Sequence, residues 1–333
     1  NFTYSEGVPW NYIQENADKE IVLDYETRTG TSVCDEAWQA GVIYHVSSTY
    51  TVDDNTLAIE GGAVVKVGDN SYIHVEEDGN IQIVGSPFNY VLFTCINENY
   101  LPDRFFRIDV ADDTSGQIVE IQFAKFSNCE EHAMKFYIDT IQADFPTIKV
   151  TDCMFLDCLA ILMESGGILT YNATAGLEVF NCLFTGDHNK TIALSFCPTT
   201  GLYNIDVNLY NLTIARDTTY MAREAMAFFG VANTTYNLQI KNLLITNYDA
   251  GMERGQYVNI GPSDIDHNGF DGDVENFVGW TNDEEAPATN TITGIDLPTY
   301  KTCDNGDYYL NDPERDGTGC VPIEDGTNDI PTE

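Results

Sequence analysis

The chain has 333 residues, and its 15 Lys and Arg stand against 53 Asp and Glu, a formal charge of −38. Nucleic acid and acidic lipid surfaces require clustered bases, so the first is excluded as a partner and the second is disfavoured. The 43% apolar content is enough for a core, yet no apolar run approaches the ~20 residues of a membrane-spanning helix, so no insertion is expected.

Residues 1–50 do not repeat and are expected to cap one end of the molecule. Within them, 34–41 reads as a short helix closed by Gly41. The chain opens on Asn1 rather than Met, which fits a processed or trimmed form. From Tyr50 to Thr94 apolar residues alternate in short runs, including Leu57 and Ile59, Ile73 and Val75, Ile81 and Ile83, and Val91 and Phe93. Gly61, Gly62, Gly68 and Gly79 punctuate them, as expected for short strands. Residues 95–118 form a longer excursion.

The next stretch contains one pattern five times, beginning at Val119, Ile148, Leu177, Val207 and Leu238, with steps of 29, 29, 30 and 31 residues. A near-constant step of this size marks a repeat architecture. With the first residue as position zero, zero and +2 are apolar, the alternation of a half-buried strand. Position +4 holds Asp152, Asn181, Asn211 and Asn242 in the last four copies, with Phe123 breaking the rule in the first. Position +5 holds Ala124, Cys153, Cys182, Leu212 and Leu243, and +7 holds Phe126, Phe155, Phe184, Ile214 and Ile245. The buried parity flips between +2 and +5, so the chain must bend near +4, where Asn and Asp tolerate left-handed backbone. A further strand follows each bend, at Ala133, Ala160, Ile192 and Ala225.

A strand–bend–strand unit cannot bury its apolar face alone, but stacked copies bury it continuously. A sandwich or propeller would require the spacing to be accidental. With its aliphatic, aromatic and Asn columns, the pattern over roughly residues 50–260 resembles the right-handed parallel β-helix of the pectate-lyase-like superfamily. The resemblance implies an all-β solenoid with three sheets and coils of about 22–31 residues. The expected division is a cap at 1–50, the β-helix at 51–260, an acidic loop or cap region at 261–320 and a flexible tail at 321–333. Hydrolases of the superfamily carry Asn-Thr-Asp, Asp-Asp, Gly-His-Gly and Arg-Ile-Lys signatures. Here only Asp-Asp pairs occur, at Asp53 and Asp54 and at Asp112 and Asp113. Lyases often show Ile-Asp-His, which Ile265, Asp266 and His267 echo.

Two sets of residues suggest binding chemistry. Asp264 to Glu275 fits the D-x-[DN]-x-[DN]-G-x5-E loop. Asp264, Asp266, Asn268, the Phe270 carbonyl and a bidentate Glu275 would then hold a weak, structural calcium ion. Asp271 and the preceding Gly261 and Pro262 depart from that template, and the competing reading is an acidic turn without an ion. Counted from each repeat, position +16 holds Lys135, Glu164, Ala193, Arg223 and Arg254. Arg223 stacked over Arg254, beside Glu224 and Glu253, could grip a sugar carboxylate; a locally neutralised exposed face is the plainer reading. None of the five histidines, His45, His74, His132, His188 and His267, has a metal-ligand spacing or a nucleophile signature around it, and most read as ordinary loop or strand residues.

Nine cysteines leave at least one unpaired within the chain. Cys303 and Cys320 flank a Gly/Asp-rich loop and are disulfide candidates; Cys34 with Cys95 is another pairing. Cys153 and Cys182 stand where leucines stand in later copies and read as buried apolar side chains. Asn172, Asn189 and Asn233 head sequons in strand connections and are glycosylation candidates, whereas Asn211 lies in the bend column and is not. The function expected is an extracellular, non-catalytic structural or surface protein that self-associates into a filament, array or adhesin, or meets surface glycans. A polysaccharide lyase or hydrolase on acidic polysaccharide is the alternative, and a glycan-binding module the third reading.

Overall fold

The computed structural model describes residues 25–96, 101–110, 117–130, 132–138, 147–156, 158–165, 173–186, 194–198, 203–216, 224–230 and 234–246. It further describes 248, 250–255, 258–261, 264–266, 268–271 and 275–278, and short strands at 292–293, 301–302, 308–310 and 321–322. Among these residues there are strands and no helices. The molecule is an all-β solenoid in which parallel strands stack rung on rung.

The zero-to-+2 segments of all five repeats lie in register. Val119 faces Ile81 on one side and Ile148 on the other, and the row continues through Leu177, Val207 and Leu238. The +7 positions stack in the same order, Phe93 beside Phe126, then Phe155, Phe184, Ile214 and Ile245. Their rings lie 4.9, 5.0 and 4.8 Å apart and nearly parallel from Phe93 to Phe184, the spacing of neighbouring strands. All four are buried, together with the aliphatic residues of the zero and +2 rows.

The bend behaves as its residues require. Phe123, Asp152, Asn181, Asn211 and Asn242 all have positive φ, between 51° and 56°. In the two coils before them the same place is filled by Gly61 and Gly85; a Cβ on Gly85 would meet the Phe123 carbonyl at 2.4 Å. Phe123 holds its strained position while packing edge-on against Tyr90. The amides then link the bends into a ladder. Asn181 donates to Asp152 at 3.3 Å, Asn211 to Asn181 at 2.9 Å and Asn242 to Asn211 at 2.9 Å.

Four sequence expectations change. The strands form a 10-stranded and a 19-stranded sheet rather than three separate ones, with a small 3-stranded sheet of Lys301–Thr302, Tyr308–Leu310 and Val321–Pro322. The cause is the long strand Ile43–Val52, whose first half pairs with Val64–Val67 and whose second half pairs with Ile73–Val75. The coil from Ile81 to Val119 exceeds 31 residues because it contains the excursion after Cys95. The expected helix at 34–41 is instead the strand Glu36–Trp38, paired with Thr56–Glu60 and anchored by Trp38 stacked on Tyr44 at 4.6 Å. Parallel pairing already begins at Tyr25, inside the expected cap, and persists past Ile260, where Asp264–Asp266 pairs with the preceding coil.

Candidate functional site

Alternation along three neighbouring strands builds a charged cluster on the outer face of the solenoid. In Ile73–Val75, Phe106–Val110 and His132–Ile138 the apolar residues point inward: Ile73 and Val75, Phe106, Ile108 and Val110, and Met134 and Phe136. The alternate residues therefore point outward. The register sets His74 beside Arg107, Arg107 beside Lys135, and Asp109 beside Tyr137.

His74 lies between two carboxylates, with Nε2 2.9 Å from Asp109 Oδ2 and Nδ1 3.3 Å from Glu76 Oε1. Arg107 donates from Nε to Asp109 Oδ1 at 2.8 Å and from a terminal nitrogen to Oδ2 at 3.2 Å. The side chains of His74 and Asp109 keep only 15% and 13% of their exposure, whereas Glu76 keeps 40% and opens the cluster to solvent. Burial works to raise the Asp109 carboxyl. Hydrogen bonds from His74 and Arg107, and the charges of those groups, outweigh it and hold the carboxyl below its ordinary value. Beneath the site Gln117 is buried, and its amide faces the carbonyls of Glu76, Gly79 and Asp109 at 3.1, 3.1 and 3.0 Å. That contact fixes the backbone at both carboxylates.

Cations and aromatic rings surround the cluster. The Arg107 guanidinium lies 4.8 Å from the Tyr137 ring centre and Lys135 Nζ lies 5.8 Å from it. Arg104 sits 5.4 Å from the Tyr72 ring, which is tilted against His74. In a chain with 15 bases, Arg104, Arg107 and Lys135 gather here around the carboxylates of Glu76 and Asp109. The imidazole and two carboxylates offer one nitrogen and two oxygen donors, able to exchange protons or hold a cation. The guanidinium and rings suit hydrogen bonding and stacking with a polar ligand.

Reading His74 as an ordinary strand residue missed this cluster. His74 with Glu76, and Arg107 with Asp109, are spaced two apart on alternating strands, so each pair shares a face. The missing information was the register between strands separated by a long excursion.

The residues expected to hold calcium are not brought together. Asp264–Asp266 is a strand, with Ile265 buried, and Asp264 forms an ion pair with Lys241 at 2.6 Å. Asn268 turns into the core, where its Oδ1 accepts the Leu243 N–H at 3.0 Å and its Nδ2 donates to the Ile240 carbonyl at 3.3 Å. Phe270 continues the +7 row beside Ile245, and Glu275 begins a different strand, beside Ala250. Asp264–Asp266, Gly269–Asp271 and Glu275–Val278 are thus three separate strands, each paired with the preceding coil.

The guanidinium column is also corrected. Arg254 stands beside Phe228, Glu253 beside Ala227 and Glu224 beside Ala250. Glu164 stands beside Tyr137 and Cys197 instead of Lys135. Connections of unequal length shift the count beyond the bend. Arg254 donates from Nε and a terminal nitrogen to the Val258 carbonyl at 2.9 and 2.6 Å; Arg223 lies outside the described residues.

Cys34 is exposed and Cys95 buried, and Cys153 and Cys182 are free thiols in the core. Burial and its hydrogen-bonded neighbour Cys153 push the Cys182 thiol well up. Cys303, Cys320, Asn172, Asn189 and Asn233 lie outside the described residues. No family model matches the chain, and neither a curated protein nor a solved structure matches it.

Proposed function

We propose that the chain is an extracellular, non-catalytic structural or surface protein, built as a right-handed parallel β-helix of the pectate-lyase-like kind and associating with copies of itself. The supporting observation is the unbroken register of the 10-stranded sheet, which at ~4.8 Å per strand extends roughly 40 Å along one axis. Such a rod has a core committed to packing and leaves its faces and ends for contact. With a formal charge of −38, side-by-side packing is opposed by repulsion. Association along the axis, strand edge to strand edge, is favoured.

Electron microscopy and sedimentation of the purified chain, with and without a chelator, test this reading. Filaments or end-to-end oligomers are expected. A strictly monomeric protein that depolymerises polygalacturonate or alginate would overturn it and establish the polysaccharide-enzyme reading. A glycan-binding role is a second reading, favoured by Arg107 lying over Tyr137 and Arg104 over Tyr72 on one face. Its signature is retardation in glycan affinity electrophoresis that Tyr137→Ala abolishes.

A further inference from the structure

We propose that His74, Glu76 and Asp109 form a site for a divalent transition-metal ion of the zinc class, joining two rungs of the solenoid. One donor atom from each residue lies within 4.8 Å of the other two. Zinc bonds of about 2.0–2.2 Å in a tetrahedral arrangement require donors roughly 3.3 Å apart. The 2.9 Å contact to Asp109 is made from His74 Nε2 and the 3.3 Å contact to Glu76 from Nδ1, so an ion held by one imidazole nitrogen draws the carboxylate on the other side toward it. With the three donor atoms within 4.8 Å of one another and Glu76 40% exposed, swinging the Glu76 side chain closes them around an ion.

The donor set selects the metal. Calcium and magnesium favour oxygen ligands, whereas an imidazole nitrogen with two carboxylates suits zinc and its neighbours. Three protein ligands leave a fourth position, on the side where Glu76 is exposed. The supporting groups are in place. Arg107 orients the Asp109 carboxylate through both oxygens, at 2.8 Å to Oδ1 and 3.2 Å to the Oδ2 that also faces His74. Gln117 fixes the backbone of both acidic residues. The guanidinium charge lowers the attraction for a cation, while the net charge of the whole chain raises it.

His74 belongs to Ile73–Val75 and Asp109 to Phe106–Val110, neighbouring parallel strands separated in sequence by the excursion after Cys95. An ion bridging them closes that excursion and binds the folded chain alone, so it raises thermal stability. The site stands apart from the scaffold role: it survives a finding that the protein is monomeric, and its failure leaves filament formation untouched.

The test is calorimetric titration of the chelator-treated full chain with zinc chloride in millimolar calcium, which occupies scattered surface carboxylates. One equivalent of zinc and a rise in Tm are expected. His74→Gln and Asp109→Asn should each weaken binding at least ~10-fold and remove the Tm rise. Glu76→Gln changes the most exposed of the three and serves if the other two disturb folding. Cobalt substitution should give a visible spectrum without a thiolate charge-transfer band. Absence of stoichiometric zinc binding, undiminished binding by His74→Gln or Glu76→Gln, or a thiolate band would overturn the proposal.

Discussion

Asn211 shows how much one bend residue does. Its φ of 56° is a conformation that costs other side chains more. Its amide donates to Asn181 and its carbonyl oxygen accepts from Asn242, both at 2.9 Å. Asn211→Ala removes two hydrogen bonds and strains the backbone, an expected loss of about 1–3 kcal/mol in urea unfolding. Asn211→Gly keeps the backbone and should lose less. Although it heads a sequon, Asn211 should carry no glycan by mass spectrometry from a glycosylating host, because its amide is used. Asp109 governs a different property. Its carboxyl is held below its ordinary value of 3.8, so it stabilises the fold fully well above that pH. This contribution fades as pH falls from about 3.8 through the depressed value. Asp109→Asn should therefore lower Tm near neutrality, with the difference from the parent protein shrinking at acid pH, as read by circular dichroism melts.

At the level of elements, the strand–bend–strand unit was legible because its signals are local. Alternation, Asn and Asp at the bend, and a Phe or Ile at +7 recur at fixed offsets within about eight residues. Counting to +16 failed because it crossed connections whose lengths vary, and at Asp264 a strand with alternating carboxylates reads in sequence like a cation loop. Only the register showed that Ile265 and Asn268 face the core, and only the register brought His74 to Asp109. The phenylalanine stack is the element most exposed to mutational test. Phe155 is buried between Phe126 and Phe184 with ring centres 5.0 and 4.8 Å away. Phe155→Ala should cost about 3–5 kcal/mol through lost burial and the cavity left behind. Phe155→Leu, matching Ile214 and Ile245 further along the row, should cost clearly less; equilibrium denaturation compares the two.

For the molecule as a whole, charge and shape act against each other. A formal charge of −38 on a rod produces self-repulsion that packing must overcome. The Debye length falls from about 30 Å at 0.01 M salt to about 8 Å at 0.15 M, so Tm should rise over that range in sodium chloride. A flat or falling trend would show that the acidic groups are already neutralised by neighbours. The bend column has a further consequence for how such a protein can change size. Ile148 stands beside Leu177, and Thr147 stands beside Gly176, so residues 148–176 make one complete circuit. Excising them should splice the chain without turning any remaining side chain to the wrong face, bringing Phe126 directly against Phe184 and shortening the rod by about 4.8 Å. Removing one residue fewer would put the following strand out of phase. Lineages carrying this architecture are therefore free to lengthen or shorten by whole circuits, while single-residue insertions are confined to the outer connections.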